Sequence, residues 1–537
     1  MSQDAGLLRS SSLMATGTIS SRITGLVKNS VLLAAIGSGV FADTYTVANI
    51  LPTVVYILLV GGAINAVFVP QLVRHIRADD DSGEAYAQRL FSAVAIVLVV
   101  ITIIAVVAAP VLVQLYGKGW NHRDVEVATA FARFLLPQIF FYGMFTIVSQ
   151  VLNARGRFGA PMFAPVVNNV VVIVTASLFL FVTGTGTTTH NVTDAQIALL
   201  GMGTTLGAAL QALVLWPSLR TAGLRLRLRF DLRGTGLGKA WTLARWTILL
   251  VLINQIGTLV VIRLATGINA DSNADVGATV YSNAFTVFML PQSVVTVSVV
   301  TALLPALSGL AADGRLDVVR DKLGWALRTT NALVIPMAAA FVVLGVPIAV
   351  LLFRHGDFTT DAARTLGFTL SAMALGLPAF SAYYVLLRGF YALEDTRTPT
   401  INALLLNGTN VVLAVMAVAW LPAAEAIPGL GLAYAVSYWV ALVALSLRLR
   451  RRLERLDGSL VLRTHVRVLV ATLFASAAML LGAWLAVLVV GPTDQATTAA
   501  VVLLAGLVPG AFTYLAGIKI FSITEAQAVV GMVLRRG

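Results

Sequence analysis

Apolar residues occur along this chain in long blocks that short polar segments separate. Most blocks hold 20 or more residues, and at 1.5 Å per helical residue that length crosses the roughly 30 Å hydrocarbon layer of a membrane. The pattern therefore predicts an all-α polytopic membrane protein with fourteen transmembrane helices. The predicted spans are 13–36, 43–71, 90–116, 131–153, 161–183, 196–218, 240–267, 276–311, 326–353, 365–392, 399–420, 430–449, 465–490 and 496–520.

The composition excludes a soluble globular protein and most enzymes. Of 537 residues, 58% are hydrophobic and only 11% are charged, whereas soluble domains carry about a quarter of their residues as charges. The absence of cysteine excludes disulfides, thiolate nucleophiles and cysteine-ligated zinc. The sequence also has no Walker A motif and no HExxH spacing among its five histidines. We therefore expect a transporter that uses no cofactor and no metal site, rather than an enzyme.

The formal charge of +13 is explained by topology. Of the 37 basic residues, 25 lie in the even-numbered loops and the terminal segments, and 4 lie in the odd-numbered loops. The positive-inside rule then predicts that both termini are cytoplasmic. A nucleic-acid partner is not expected. The arginine clusters 225–229 and 450–452 leave open a second interpretation, in which they bind anionic lipid headgroups.

An internal duplication divides the chain. Sequence landmarks recur at offsets of 235 to 241 residues, so that Pro52 matches Pro291 and Pro137 matches Pro378. Each copy covers six spans, which predicts two pseudo-symmetric six-helix lobes that face a central cavity, as in alternating-access transporters. We predict an N-lobe at 1–233, a C-lobe at 234–455 and two additional C-terminal helices at 456–537.

Charged residues at membrane depth are the candidate functional groups. Arg22 and Lys28 lie inside the first span, where each costs on the order of 2.5–3.5 kcal/mol on insertion scales. At about 100° per residue, Asn29 shares the face of Arg22, whereas Lys28 lies about 120° from it. Asp43, at the outer edge of span 2, is the one acidic residue placed within a span. The predicted binding residues are Arg22, Lys28, Asn29, Asp43, Arg263 and Arg388.

This charge balance favours an anionic substrate, such as a phosphate or a diphosphate, because a single carboxylate cannot neutralise four basic groups. The alternative is an internal ion pair without a ligand. Asp395, Asn407 and Asn410 form a second candidate, a cation-coupling site in the second lobe, with helix capping and interhelical hydrogen bonds as the alternative.

Several segments carry a resemblance to a known family. The most specific is Arg388-Gly389-Phe390-Tyr391-Ala392, followed by Asp395-Thr396-Arg397-Thr398-Pro399. The others are Ser21-Arg22-Ile23-Thr24-Gly25-Leu26-Val27-Lys28, Ala42-Asp43-Thr44-Tyr45-Thr46-Val47-Ala48, Ala66-Val67-Phe68-Val69-Pro70, Leu152-Asn153-Ala154, Arg157-Phe158 and Phe163-Ala164-Pro165. Together they resemble the MurJ/MviN family of lipid II flippases, which belongs to the multidrug/oligosaccharidyl-lipid/polysaccharide exporter superfamily.

The resemblance implies roles for particular residues. Arg22, Lys28 and Asp43 align with positions that the family needs for function, and the two basic residues are implied to lie near the substrate's diphosphate. The last two helices are implied to form a groove for the undecaprenyl tail. Where family members often carry basic residues in spans 2 and 8, this chain has Tyr56 and Thr286. Arg263 or Arg388 would then supply the missing charge.

The sequence thus predicts a flippase that moves lipid II to the outer leaflet of a bacterial plasma membrane. A flippase for another polyprenyl-linked glycan, a cation-coupled drug exporter and a non-transporting scaffold for cell-wall synthesis are the alternatives. Expected partners are lipid II, membrane lipids and cell-wall synthesis proteins. Sodium and the membrane potential are the two candidate sources of energy.

Overall fold

The computed structural model describes residues 2–58, 84–221, 229, 237–272, 275–453 and 458–527. The described residues form α-helices, one π-helical segment and short connections, because a helix satisfies its own backbone hydrogen bonds in a medium without water. The helices are α1 (Ser2–Ile36), α2 (Val40–Tyr56), α3 (Glu84–Val107), α4 (Ala109–Tyr116), α5 (His122–Leu135), α6 (Gln138–Ala154), α7 (Gly159–Thr183), α8 (Asp194–Leu213), α9 (Trp216–Thr221), α10 (Leu237–Ser272), α11 (Ala278–Pro291), α12 (Val297–Ala312), α13 (Leu316–Phe353), α14 (Thr360–Ala374), α15 (Leu377–Ala392), α16 (Arg397–Trp420), α17 (Ala423–Arg452), α18 (Gly458–Val490) and α19 (Ala496–Ile520).

The predicted all-α polytopic class is confirmed. Within the described residues, 11 helices are long and apolar enough to cross a membrane, or 12 if the bent pair α14 and α15 counts as one span. Two further helices complete the set of predicted spans. The helix α1 has a polar middle, and the second predicted span is described only as far as residue 58.

Prolines that recur in the duplication mark irregular helix geometry at the same place in both copies. Pro52 lies inside α2 shortly before a π-helical turn, and Pro291 ends α11 before the π-helical segment Gln292–Thr296. Pro137 separates α5 from α6, while Pro378 lies in the first turn of α15, where the bend from α14 is 48°. Each proline lacks the backbone N–H that would continue the regular ladder.

The chain divides into two compact units. Unit 1 contains residues 1–278 together with 355–358, and unit 2 contains 279–354 and 359–537. The predicted lobe boundaries, at 233 and 455, lie outside the described residues and stay predictions. The helix α10, which the sequence placed at the start of the C-lobe, packs on α4 and α2 in unit 1. The C-terminal pair α18 and α19 belongs to unit 2.

Each unit has its own apolar core. In unit 1, the rings of Phe41 and Tyr45 lie 5.8 and 5.4 Å from the ring of Phe131, measured between centroids. In unit 2, α13 packs on α18 and α19 through buried side chains that include Leu344 and Met479. Small residues line the contact between α18 and α19, where Gly482 lies against the backbone of Ala505. Close backbone approach of this kind is how helices associate in lipid.

Candidate functional site

The first helix carries the two basic side chains, Arg22 and Lys28, that the sequence analysis predicts to lie at membrane depth. Arg22 is exposed from the protein and Lys28 is half-buried. Within the described part of the chain, neither side chain has a hydrogen bond or an ion pair. Two cations that no described carboxylate neutralises favour an anionic ligand, because unpaired charge at this depth is costly. Asn29, the third candidate on this helix, is half-buried and has interactions of its own.

The rotation of α1 about its axis follows from its contact with α7. Gly17, Ser21 and Gly25 face α7, and a Cβ atom added at Gly17 would lie 2.8 Å from the Cβ atom of Met162. At about 100° per residue, Lys28 lies within roughly 20° of this seam and Arg22 about 100° from it. The different burial of the two side chains agrees with this geometry. Lys28 therefore follows the α1–α7 seam, whereas Arg22 points away from it.

Asp43 occupies a closed environment at the start of α2. Its side chain is fully buried, and Oδ2 accepts a hydrogen bond of 2.9 Å from Nδ2 of Asn269 on α10. Gly277 lies against the same carboxylate, with no room for a side chain. Its amide donor and close packing account for the burial of Asp43 without Arg22 or Lys28. Its predicted role in substrate binding stays a prediction.

We expect Gly277→Ala to destabilise unit 1 by about 1–3 kcal/mol, the usual cost of overpacking. The new methyl group would collide with Oδ2 of Asp43 and lie 2.8 Å from Cβ of Asn269. The measurement is the apparent melting temperature of the purified protein in detergent. Gly408→Ala is the matched control, because its new Cβ meets nothing within 4 Å and alanine is favoured in a helix. A melting temperature for Gly277→Ala equal to or above that of the unmodified protein would contradict the packing argument.

Arg263 has a structural partner. Its Nη1 donates hydrogen bonds of 2.8 Å to the carbonyl oxygens of Gln114 and Leu115, in the last turn of α4. The neighbouring Thr266 hydroxyl donates to the carbonyl of Tyr116 at 2.7 Å. A cation at these terminal carbonyls also interacts favourably with the helix dipole. Capping of α4 therefore explains Arg263 without a substrate, and its predicted binding role stays a prediction.

Arg388 lies in unit 2 and is held by aromatic rings of its own helix. Its guanidinium carbon is 4.3 Å from the ring centroid of Tyr384 and 5.6 Å from that of Tyr391. Its Nε atom is buried and has no hydrogen-bond partner in the described part of the chain. Stacking on two tyrosines stabilises the charge by cation–π attraction. Arg388 therefore has aromatic partners within its own helix, and its predicted binding role stays a prediction.

The three candidate cation-coupling residues do not converge. Asp395 accepts hydrogen bonds from the backbone N–H and the hydroxyl of Thr398, at 2.9 and 2.7 Å, and pairs with Nη2 of Arg452 at 2.9 Å. Burial raises the pKa of Asp395, but these hydrogen bonds and the charge of Arg452 outweigh it and leave the pKa below its ordinary value.

Asn407 and Asn410 lie further along α16, and the rise of the helix puts Asn407 about 18 Å beyond Asp395. Asn407 donates to the carbonyl of Ala403, and Asn410 is buried with an unpaired Oδ1 among the described residues. No group of three His, Asp or Glu side chains that could hold a metal ion occurs in the described segments. The contacts match the alternative of capping and helix packing, and the cation site stays a prediction.

Two buried asparagine side chains that bond to α1 and to Asp43 were not among the site residues predicted from the sequence. Asn169 of α7 bonds to α1, and Asn269 of α10 bonds to Asp43. Both are polar residues inside apolar blocks, and such residues are rare and usually buried against a partner. The sequence therefore marks both asparagines as buried polar groups that need partners. It does not show which residue each one bonds, because each contact joins residues more than 140 positions apart.

Comparison with known proteins identifies the kind of molecule that this architecture belongs to. The family model described as "Lipid II flippase MurJ" matches residues 32–491. A probable lipid II flippase MurJ of Rhizobium meliloti is 28% identical over 477 residues, which cover 87% of this chain and 85% of that protein. A probable lipid II flippase MurJ of Vibrio cholerae is 27% identical and covers 76% of this chain and 77% of its own length.

Solved structures show the same fold. A lipid II flippase MurJ in an inward closed conformation matches with a TM-score of 0.72 and 21% identity, over 96% of this chain and 99% of the other. An inward-facing multidrug resistance MATE family transporter of the MOP superfamily matches with a TM-score of 0.65 and 15% identity, over 81% and 96% of the two chains. The family match begins after Lys28, so the unpaired cations of α1 are an observation independent of it.

Proposed function

Because the chain belongs to the lipid II flippase MurJ family, we propose that it moves lipid II from the cytoplasmic to the outer leaflet of the bacterial inner membrane by alternating access. The chain is a multi-pass membrane protein of a transporter family. Lipid II carries its peptidoglycan precursor on an undecaprenyl diphosphate. The difficult step is to carry this anionic headgroup through the hydrocarbon layer, because charge is strongly disfavoured there.

One observation of the chain itself carries the proposal. Arg22 and Lys28 of α1, which the sequence predicts to lie at membrane depth, have no carboxylate partner among the described residues. Charge-assisted hydrogen bonds from a guanidinium and an ammonium are suited to a diphosphate. Arg22, on the exposed face of α1, would contact the diphosphate first, and Lys28, along the α7 seam, would bind it more deeply.

The C-terminal helices support the placement of the lipid tail. Large apolar side chains of α18 and α19 are exposed from the protein, as expected of a surface that contacts acyl or polyprenyl chains. They include Leu473, Phe474, Val489 and Phe512. We propose that the undecaprenyl tail stays against this hairpin, in the lipid phase, while the headgroup crosses.

Orientation and coupling complete the proposal. The asymmetry of the basic loops favours cytoplasmic termini, so lipid II would enter from the side on which α1 begins. For energy, we favour the membrane potential over sodium, because Asp395 already bonds to Thr398 and Arg452. Transport of equal rate in sodium-free and sodium-containing buffer would agree with this assignment.

Two other functions are alternatives to lipid II transport. The similarity to the fold of a MATE family transporter suggests a drug exporter, and such an exporter would be expected to carry a carboxylate in its binding cavity. Among described residues, the buried acids are Asp43 and Asp124, and Asp124 completes a capping box at the start of α5 with Asn121. A flippase for another polyprenyl-linked glycan fits the same cations and is separated only by substrate.

We expect the purified chain in proteoliposomes to expose fluorescent lipid II at the opposite leaflet well above the rate of protein-free vesicles. The expected selectivity is for diphosphate-linked lipid over a polyprenyl monophosphate sugar, because two phosphates offer more acceptors to the two cations. Leaflet exposure is read by quenching of the fluorophore from outside. Transport of ethidium without any movement of lipid II would reject the proposal in favour of a drug exporter.

A further inference from the structure

Asn169 is a buried amide at the contact between α7 and α1. Its side chain is 7% exposed, and its Nδ2 donates hydrogen bonds to the carbonyl oxygen of Ser21 at 3.1 Å and to the hydroxyl of Thr24 at 3.0 Å. The Thr24 hydroxyl in turn donates to the carbonyl of Ser20 at 2.8 Å. Both amide hydrogens of Asn169 and the hydroxyl hydrogen of Thr24 are therefore used in hydrogen bonds.

The amide holds α1 at the turn that carries Arg22. Its two acceptors, Ser21 and Thr24, lie on either side of Arg22 in the sequence. Elsewhere on this seam, α1 contributes small residues such as Gly17 and Gly25, which allow close approach but specify rotation poorly. A directional hydrogen bond to a buried group fixes both the rotation and the register of a helix pair.

We propose that Asn169 is a positioning residue, which locks the rotation of α1 so that Arg22 and Lys28 keep their separate directions toward a lipid diphosphate. The inference rests on the proposed function, because it assigns the two cations to that ligand. Asn169 itself does not contact the substrate. It acts through the helix on which the binding groups are mounted, and small displacements of such groups are costly.

The first test measures binding. We expect Asn169→Leu to weaken binding of undecaprenyl diphosphate in nanodiscs about tenfold, at an unchanged yield of folded protein. The matched control is Asn168→Leu, which removes the adjacent amide of the same helix. That amide faces α8, where it lies against Gly207. Thr24→Val removes only one acceptor, and it serves as the second variant if Asn169→Leu does not fold. Its effect should not add to that of Asn169→Leu, because both remove the same interaction.

The second test measures the direction of α1 without any substrate. The chain has no cysteine, so Arg22→Cys introduces a single thiol whose reaction with a charged, water-soluble reagent reports its exposure. We expect Asn169→Leu to change the rate of this reaction, because the exposure of the thiol follows the rotation of α1, and Asn168→Leu to leave it unchanged.

The two readouts separate the inference from the function on which it rests. A change in thiol reactivity without a change in diphosphate binding would support the proposal that Asn169 fixes the rotation of α1. It would reject the assignment of the two cations to the diphosphate. Unchanged reactivity and unchanged binding in folded Asn169→Leu protein would overturn the positioning role, while transport by the unmodified chain would keep the proposed function.

Discussion

Arg22→Ala is expected to lower the rate of lipid II translocation about ten- to hundredfold. A hydrogen bond to a charged group contributes about 1.5–3 kcal/mol, and each 1.36 kcal/mol changes a rate or affinity tenfold. Because Arg22 has no polar partner within the described residues, the substitution breaks no hydrogen bond or ion pair there. Its effect should therefore appear in transport and not in stability.

Lys28→Ala is expected to behave similarly, and Arg22→Lys to retain part of the rate, because it keeps the charge but loses the planar pair of donors. The measurement is the initial rate in proteoliposomes at equal protein content, with Arg450→Ala as the control. Arg450 is an exposed arginine in the last turn of α17. Full rates in both alanine variants would show that the cations of α1 serve another purpose.

Hydropathy located the spans well and the helix ends less well. The apolar blocks correspond to helices because lipid demands an apolar surface and internally bonded backbone over a fixed thickness. The helices themselves extend further. The helix α1 begins at Ser2, where the predicted span began at 13, and α13 begins at Leu316, where it began at 326. Polar turns continue a helix beyond the hydrocarbon, and hydropathy cannot detect them.

The sequence singles out candidate site residues but not their contacts. Charge at membrane depth is rare enough to single out Arg22, Lys28 and Asp43 from sequence alone. Whether such a residue binds a ligand or a neighbour depends on helices that are distant in the chain. Arg263 illustrates this, because its acceptor Leu115 lies 148 positions away. Local pattern gives the depth of a residue in the membrane, whereas tertiary packing gives its partner.

The largest effect on stability is expected at a salt bridge that joins the C-terminal segment to α13. Nε of Arg328 lies 2.7 Å from Oε1 of Glu525, and the two side chains are only 16% and 12% exposed. A second polar contact is made one turn further along α13, where Asn331 bonds to His465 of α18 at 2.8 Å. Arg328→Ala would leave the carboxylate largely buried without its cation. The expected cost is about 2–4 kcal/mol, between the values for exposed and fully buried pairs.

A double-mutant cycle of Arg328→Ala and Glu525→Gln, read as apparent melting temperature, isolates the energy of this salt bridge from that of its neighbours.

Burial raises the pKa of Glu525, but hydrogen bonds from its own backbone N–H, Arg328 and Thr524, with the charge of Arg328, outweigh it and leave the pKa below its ordinary value of 4.5. A carboxylate whose pKa is lower in the folded state stabilises the protein above its unfolded-state pKa, and this contribution is lost as the pH falls through the folded-state value. The coupling should therefore be complete near about pH 7 and should be lost only in acid, as the pH falls through the lowered pKa of Glu525. Arg467→Ala, which removes a half-buried arginine with a long, 3.3 Å hydrogen bond to the carbonyl of Ser522, should change the melting temperature little. A coupling near zero at neutral pH would mean that apolar packing alone holds the C-terminal segment on α13.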